Sequence, residues 1–190
     1  MQEFIEDVKK AVQVMRDGGI ILYPTDTIWG IGCDASNSAA VRRIFELKQR
    51  SDSKSMLSLI DSDAKLGYYV PDIPDVAYDL MDLSEKPLTI IYDNVRHLAT
   101  ELLADDGSAG IRVTREAFSK ELCRRMGGAV VSTSANISGQ PSAANFSEIA
   151  DVIKQGVDYI VEYRQNEQTR SVASGIIKLG SGGLVKVIRE

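Results

Sequence analysis

The stretch Ile20-Ile21-Leu22-Tyr23-Pro24-Thr25-Asp26-Thr27 decides how the rest of this chain is read. Four apolar residues make a run of strand length, and Pro24, with no N–H to give a ladder, closes it. Two threonines and an aspartate follow at once. A buried strand that delivers short hydrogen-bonding side chains to a sheet edge is a frequent way to build a binding site. The same residues are also ordinary turn formers, so the surrounding chain has to decide.

Upstream, Phe4, Val8, Ala11, Val12 and Met15 recur at helical spacing, and Gly18-Gly19 end that helix. Downstream, Asn37 or Ser38 opens a second helix reaching about Lys48, with Val41, Ile44, Phe45 and Leu47 turned inward. Residues 56–60 read as a short strand. A helix is expected from Asp61 or Ser62 to about Tyr69, and another with Pro74 in its first turn through Leu83. Runs at 88–92 and 110–113 read as strands around a turn at Asp105-Asp106-Gly107. A helix over 116–126 stops at Gly127-Gly128, and a strand at 129–133 feeds a loop of small residues over 134–145. A helix at 147–154 and a strand at 159–162 follow. The last part reads as a hairpin of 174–179 and 184–189 about a turn at 180–183. Helices alternate with strands early and strands pair locally late. The pattern predicts the α/β class, one domain over 1–190, with a mixed sheet flanked by helices.

Composition narrows the function. With 190 residues, 44% hydrophobic and 26% charged, the chain suits one ample core and not a disordered or fibrous protein. No apolar run approaches the ~20 residues that span a bilayer. The opening Met1-Gln2-Glu3-Phe4-Ile5-Glu6-Asp7 is acidic where a signal peptide is basic, so a cytoplasmic protein with no membrane role is expected. Cys33 and Cys123 stand far apart without Cys or His neighbours, which argues against a disulfide framework or a zinc site. The lone histidine, His97, lies between Arg96 and Leu98, so chemistry that needs a His-activated nucleophile is not expected. A net charge of −5 argues against a broad nucleic-acid surface but leaves room for a small basic pocket.

Three segments carry the candidate chemistry. In residues 24–32, small polar side chains and two glycines allow a ligand close to the backbone; Trp29 either covers a base or packs in the core. In Lys48-Gln49-Arg50-Ser51-Asp52-Ser53-Lys54, three cations follow a helix, either offsetting its dipole or clamping a polyphosphate. In Ser132-Thr133-Ser134-Ala135-Asn136-Ile137-Ser138-Gly139-Gln140-Pro141-Ser142, hydroxyls and an amide leave an apolar strand together, a surface loop or an anion-binding turn. Neither a Walker loop nor a Gly-x-Gly-x-x-Gly fingerprint is present.

Together these segments resemble the YrdC/YciO-type family, whose characterised members are L-threonylcarbamoyladenylate synthases. The resemblance covers nearly the whole chain. The Pro24-Thr25-Asp26-Thr27 box, a Lys-x-Arg at Lys48-Gln49-Arg50 and a Ser-x-Asn at Ser134-Ala135-Asn136 carry it. It implies a twisted sheet around a basic concave pocket, in which threonine, bicarbonate and ATP give threonylcarbamoyl-AMP and pyrophosphate. The product would then supply a tRNA-modifying transferase acting on the adenosine beside the anticodon. By position, Thr27, Arg112 and Ser132 would hold threonine. Arg50, Lys54, Ser108, Ser134, Asn136, Ser142 and Arg189 would hold ATP, with Lys48 and Arg50 as the catalytic pair. Mg²⁺ would arrive with ATP, and the sequence shows no dedicated carboxylate cage for it, Asp26 and Asp34 being indirect ligands or turn residues. The chain departs from the family pattern in Lys54-Ser55-Met56, Trp29, Thr114 and Leu59, the last where the synthases commonly carry histidine. A YciO-like paralogue with altered activity and an RNA-binding module with weak RNA affinity are the rival readings. The extra C-terminal domain of longer relatives is expected to be absent.

Overall fold

A computed structural model describes residues 4–49, 56–169, 173–180 and 184–190. The first helix, α1 (Ile5–Arg16), forms where the apolar spacing predicts it and buries Val8, Ala11, Val12 and Met15. Strand β1 (Ile21–Tyr23) follows, and β2 (Gly30–Gly32) pairs back on it antiparallel, Leu22 opposite Ile31. Strand β2 was not expected, because glycines at both ends remove the alternation that marks a strand. Gly32 is required there: a Cβ would lie 2.5 Å from the Val131 carbonyl oxygen and 2.6 Å from Tyr23 Cε1.

Helix α2 (Ser38–Leu47) is capped by Asn37, whose side chain accepts from the Ala40 N–H at 3.1 Å. After β3 (Leu57–Ile60), the single helix expected over 61–69 resolves into a 3₁₀ turn, Asp63–Lys65, and a short α3 (Leu66–Tyr69). Helix α4 (Val76–Leu83), β4 (Leu88–Tyr92) and β5 (Ala109–Val113) come next. Glu116 caps α5 (Ala117–Met126) by accepting from the Phe118 and Ser119 N–H groups, and Gly127 ends it at φ +78°. Strand β6 (Val130–Ser134) follows. The helix expected at 147–154 is split: Asn145 caps a 3₁₀ turn, Phe146–Glu148, then extended Ile149 and Ala150 break the chain before α6 (Asp151–Gly156). Strands β7 (Tyr159–Ile160), β8 (Gly175–Leu179) and β9 (Val185–Arg189) complete the order, the last two as the expected hairpin.

Among the described residues the nine strands form one sheet, ordered β7-β1-β2-β6-β3-β5-β4-β8-β9. The pairs β1/β7, β3/β5 and β4/β8 are parallel and the rest antiparallel, so the sheet is mixed, as expected. Alternate residues feed two cores. Ile20, Leu22, Ile31, Ile60 and Val131 pack with Val41 and Ile44 of α2. Ile21, Tyr23, Leu59 and Val130 pack with Val8 of α1 and Phe118 and Leu122 of α5. Each such side chain, fully buried, contributes about 1.5–3 kcal/mol. The α1/α5 face does not end with its helices. Two residues past Val130 stands Ser132, and opposite Leu59 stands Arg112, so the same face runs on as polar surface. No helix among the described residues is long and apolar enough to cross a membrane.

Candidate functional site

The turn after β1 sorts its residues by direction. Thr25 Oγ1 donates to the Ile28 carbonyl at 2.8 Å and accepts from the Thr27 N–H at 3.0 Å. Its hydroxyl is therefore spent inside the turn, with Thr27 Oγ1 3.0 Å away. The Tyr23 hydroxyl donates to the Val131 carbonyl at 3.0 Å, and burial pushes its phenol well above the ordinary value, so it remains a neutral donor. Arg164, itself at φ +67°, closes the turn from outside by donating to the Thr25 carbonyl at 3.0 Å.

Where the α1/α5 face continues past its helices lies a cavity of about 180 Å³. Thr27, Arg112, Ser132, Ser134, Ser142 and Arg189 all line it. Elements distant in sequence thus bring six of the expected site residues together. Two guanidinium groups and six hydroxyl side chains, Thr133 and Ser174 included, meet there, with no carboxylate among the described lining residues. Gly30 keeps the floor low, since a Cβ would come within 3.1 Å of Ser132 Oγ. Trp29 shares the lining and packs on Phe146 at 4.9 Å while only 6% exposed, so it is a core residue that also walls the cavity. Larger hollows exist, but they are lined by carboxylates: one of about 440 Å³ by Asp26, Asp61 and Asp82 beside Arg115, and one of about 770 Å³ by Asp72, Asp75 and Asp93.

The two arginines are held differently. Arg189 Nε donates to the Ser174 carbonyl at 2.8 Å, which fixes β9 beside the cavity. Arg112 is buried, and its Nη2 lies 3.0 Å from Asp26 Oδ1. That contact has ion-pair distance but not hydrogen-bond alignment, so Asp26 Oδ1 and Arg112 Nε each stay without a hydrogen-bond partner. Burial lowers the Arg112 pKa, with Asp26 opposing the shift and Arg189 adding to it. Burial likewise raises the Asp26 pKa, and Arg112 opposes it. Two like-charged guanidiniums sharing one hollow favour an anion between them.

Residues 13–190 match the Sua5/YciO/YrdC family model, whose description is "Telomere recombination". The chain belongs to this family. A threonylcarbamoyl-AMP synthase of Thiobacillus denitrificans is 34% identical over 173 residues, 90% of this chain and 90% of that protein. One of Idiomarina loihiensis is 33% identical over 147 residues, 76% and 79% of the two chains. The solved structure of E. coli YciO matches with a TM-score of 0.79 at 25% identity, over 96% of this chain and 88% of that one. P. abyssi Sua5 in complex with L-threonine shares the fold, with a TM-score of 0.84 at 23% identity. The chain covers 53% of that Sua5 chain.

The Sua5/YciO/YrdC motif residues fall in three groups beyond the cavity lining. Arg50 and Lys54 lie outside the described residues. Lys48, expected at the substrate, is 1% exposed and turned into the fold, where Nζ donates to the Asn136 carbonyl at 2.6 Å and to the Ser134 carbonyl. The Lys48 carbonyl in turn accepts from the Ser138 N–H at 2.8 Å. Asn136 sits in the same loop, donating from Nδ2 to the Ile137 and Gln140 carbonyls at 2.9 and 2.7 Å. Both residues order the loop that leaves β6 at Ser134. Ser108, expected on ATP, is off the cavity lining and donates to Asp106 at 2.6 Å, beside Lys178 Nζ at 3.4 Å.

Two departures, Leu59 and Thr114, and the candidate indirect ligand Asp34 find physical settings. Leu59 is fully buried among Tyr23, Phe118 and Leu122 beneath α5, not on the cavity wall. Thr114 donates to or accepts from Ser119 Oγ at 2.7 Å, tying the end of β5 to the start of α5. Asp34 accepts from the Ser36 N–H and hydroxyl at 2.8 and 2.7 Å, so it is a turn residue away from the cavity. Sequence reasoning missed three contributors: Asp26 as the partner of Arg112, Ser174 as the seat of Arg189, and Arg164 as the latch on Thr25. Only Asp26 carried a signal, its place inside a loaded turn.

Proposed function

We propose that this chain is a threonylcarbamoyl-AMP synthase, joining L-threonine, bicarbonate and ATP into threonylcarbamoyl-AMP and pyrophosphate. The observation that carries the reading is the convergence of Arg112 and Arg189 with Thr27, Ser132, Ser134 and Ser142 in one cavity with no carboxylate among its described lining residues. Membership of the family and relatives named for this activity support it.

The chemistry asks for positioning more than for a nucleophilic side chain. Threonine's amine and bicarbonate give a carbamate and water. A carbamate oxygen then attacks the α-phosphorus of ATP, and pyrophosphate leaves. Both reactants are anions, so the site must offset their repulsion and the charge that gathers on the leaving group. In this reading Thr27, Arg112 and Ser132 hold the amino acid. Ser134, Ser142 and Arg189 hold the nucleotide, together with Arg50 and Lys54, while Lys48 and Asn136 hold the loop. Alignment of this kind removes about 7–11 kcal/mol of barrier, which is why no His or Cys nucleophile is needed. Mg²⁺ bound to the triphosphate would neutralise part of its charge, with ligands drawn from phosphate and water. Among the described residues no group of three or more His, Cys, Asp or Glu side chains is placed to hold a metal ion, and Asp26 is engaged with Arg112. The product would pass, in the cytoplasm, to a transferase that modifies tRNA; any RNA contact by this chain would be weak, given its −5 charge.

The test is pyrophosphate release by the purified protein with ATP, threonine and bicarbonate, with the product identified by mass. Omitting threonine or bicarbonate should each abolish it. Background-level release at saturating substrates would sink the proposal and leave the YciO-like reading, which the residue at Leu59 and the likeness to E. coli YciO favour.

A further inference from the structure

We infer that Arg164 is a positioning residue for Thr27: from outside the cavity, its guanidinium fixes the turn that presents Thr27 to substrate. This rests on the proposed synthase activity and adds a residue that none of the three motif segments contains.

Arg164 does not line the substrate cavity, so it can act there only through its neighbours. Thr27 lines that cavity and also a void of about 10 Å³, whose lining includes Thr25, Arg164 and Glu167. A void of that size holds at most a single water and no substrate. Arg164 Nη1 donates to the Thr25 carbonyl at 3.0 Å and lies 3.7 Å from Glu116 Oε1, while Nε donates to Glu167 at 2.8 Å. One side chain thus joins the segment after β7, the 24–27 turn and the start of α5. Within the turn, the Thr25 hydroxyl accepts from the Thr27 N–H at 3.0 Å and lies 3.0 Å from Thr27 Oγ1. The residue that Arg164 holds from outside is therefore the one that fixes Thr27 from inside.

The backbone points the same way. Arg164 adopts φ +67°, a left-handed conformation that strains any residue with a Cβ and suits glycine. Arginine is kept there against that strain, with a side chain only 21% exposed and spent on a carbonyl and two carboxylates. Charge-assisted bonds of this kind are the strong ones. What position 164 contributes is the guanidinium.

The test compares Arg164→Gly and Arg164→Lys with the native full chain, by calorimetric titration with L-threonine and with a non-hydrolysable ATP analogue, and by thermal unfolding. Glycine accepts the left-handed backbone freely, so Arg164→Gly removes the latch while relieving strain. It should weaken threonine about 10-fold, leave the nucleotide within about 2-fold and move the unfolding temperature by less than about 4 °C. Arg164→Lys, which keeps a cationic donor, should return threonine to within about 3-fold of native. In pyrophosphate release the same split should appear as a raised KM for threonine beside an unchanged KM for ATP. Native-like threonine affinity in Arg164→Gly overturns the proposal. So does equal loss for both ligands with a lowered unfolding temperature, since Arg164 would then only hold the fold, and so does a lysine variant no better than glycine. If Arg164→Gly does not fold, Arg164→Met keeps the apolar stem and takes the same readings. A native protein that binds threonine but releases no pyrophosphate fails the synthase reading alone, and calorimetry still decides the latch. A native protein that does not bind threonine overturns both.

Discussion

Lys48→Met separates a loop clamp from a group that touches substrate. The methionine side chain fills much the same buried volume, so the change removes mainly the charge and its two carbonyl contacts, to Ser134 and Asn136. A hydrogen bond from a charged donor contributes about 1.5–3 kcal/mol, and losing two strands two buried carbonyl oxygens. Against this stands the desolvation of an ammonium that is 1% exposed, which methionine does not suffer. The balance is a loss of about 2–4 kcal/mol. In a chain of this size each kcal/mol moves the unfolding temperature by roughly 2–4 °C, so a fall of about 4–16 °C is expected. Ser142 rides on the freed loop, so the KM for ATP should rise more than that for threonine. Thermal unfolding followed by circular dichroism, beside steady-state pyrophosphate release, measures both. An unchanged unfolding temperature with abolished turnover would refute the clamp and put the Lys48 ammonium on the reacting phosphates.

Two further substitutions probe the frame around the site. Leu59→His places an imidazole among Tyr23, Phe118 and Leu122 and should cost about 2–4 kcal/mol in chemical unfolding, with no gain in threonine affinity; tighter threonine binding would put position 59 on the cavity after all. Glu121 is held at about 2, below its usual 4.5, chiefly by its bonds to Arg124 and then Arg125. Its folded value is depressed, so its contribution is complete above pH 4.5 and drains as pH falls toward 2. The unfolding-temperature gap between the native protein and Glu121→Gln should therefore shrink across that window, and a gap independent of pH would contradict the assignment.

The elements that could be read from the chain are those whose own side chains declare a period. α1 and α5 carry a 3.6-residue apolar stripe, and β8 and β9 carry β-branched runs with a glycine-rich stretch of sequence between them. β2 could not be read in that way. Gly30 and Gly32 earn their place through what approaches them, Ser132 Oγ, the Tyr23 ring and the Val131 carbonyl, and none of these is local. The helix expected at 147–154 failed for the opposite reason. Its apolar spacing is real, but the Asn145 side chain caps a tighter turn first and the chain leaves the helix at Ile149.

The site divides along the same line. The motifs that the three loaded segments share with the YrdC/YciO-type family were what named Thr27, Ser132, Ser134 and Ser142, and these four residues line one cavity. The motifs were not enough to say which way each charge turns. A lysine beside an arginine reads as a phosphate clamp, yet Lys48 finds backbone carbonyls, and a carbonyl leaves no mark in a sequence. Asp26 shows the point most sharply. Three consecutive residues take three directions: Thr25 closes its own turn, Asp26 reaches Arg112 across the sheet, and Thr27 faces the cavity. The composition of the box announces a binding site; only the turn's hydrogen bonds decide that its one carboxylate stands behind an arginine.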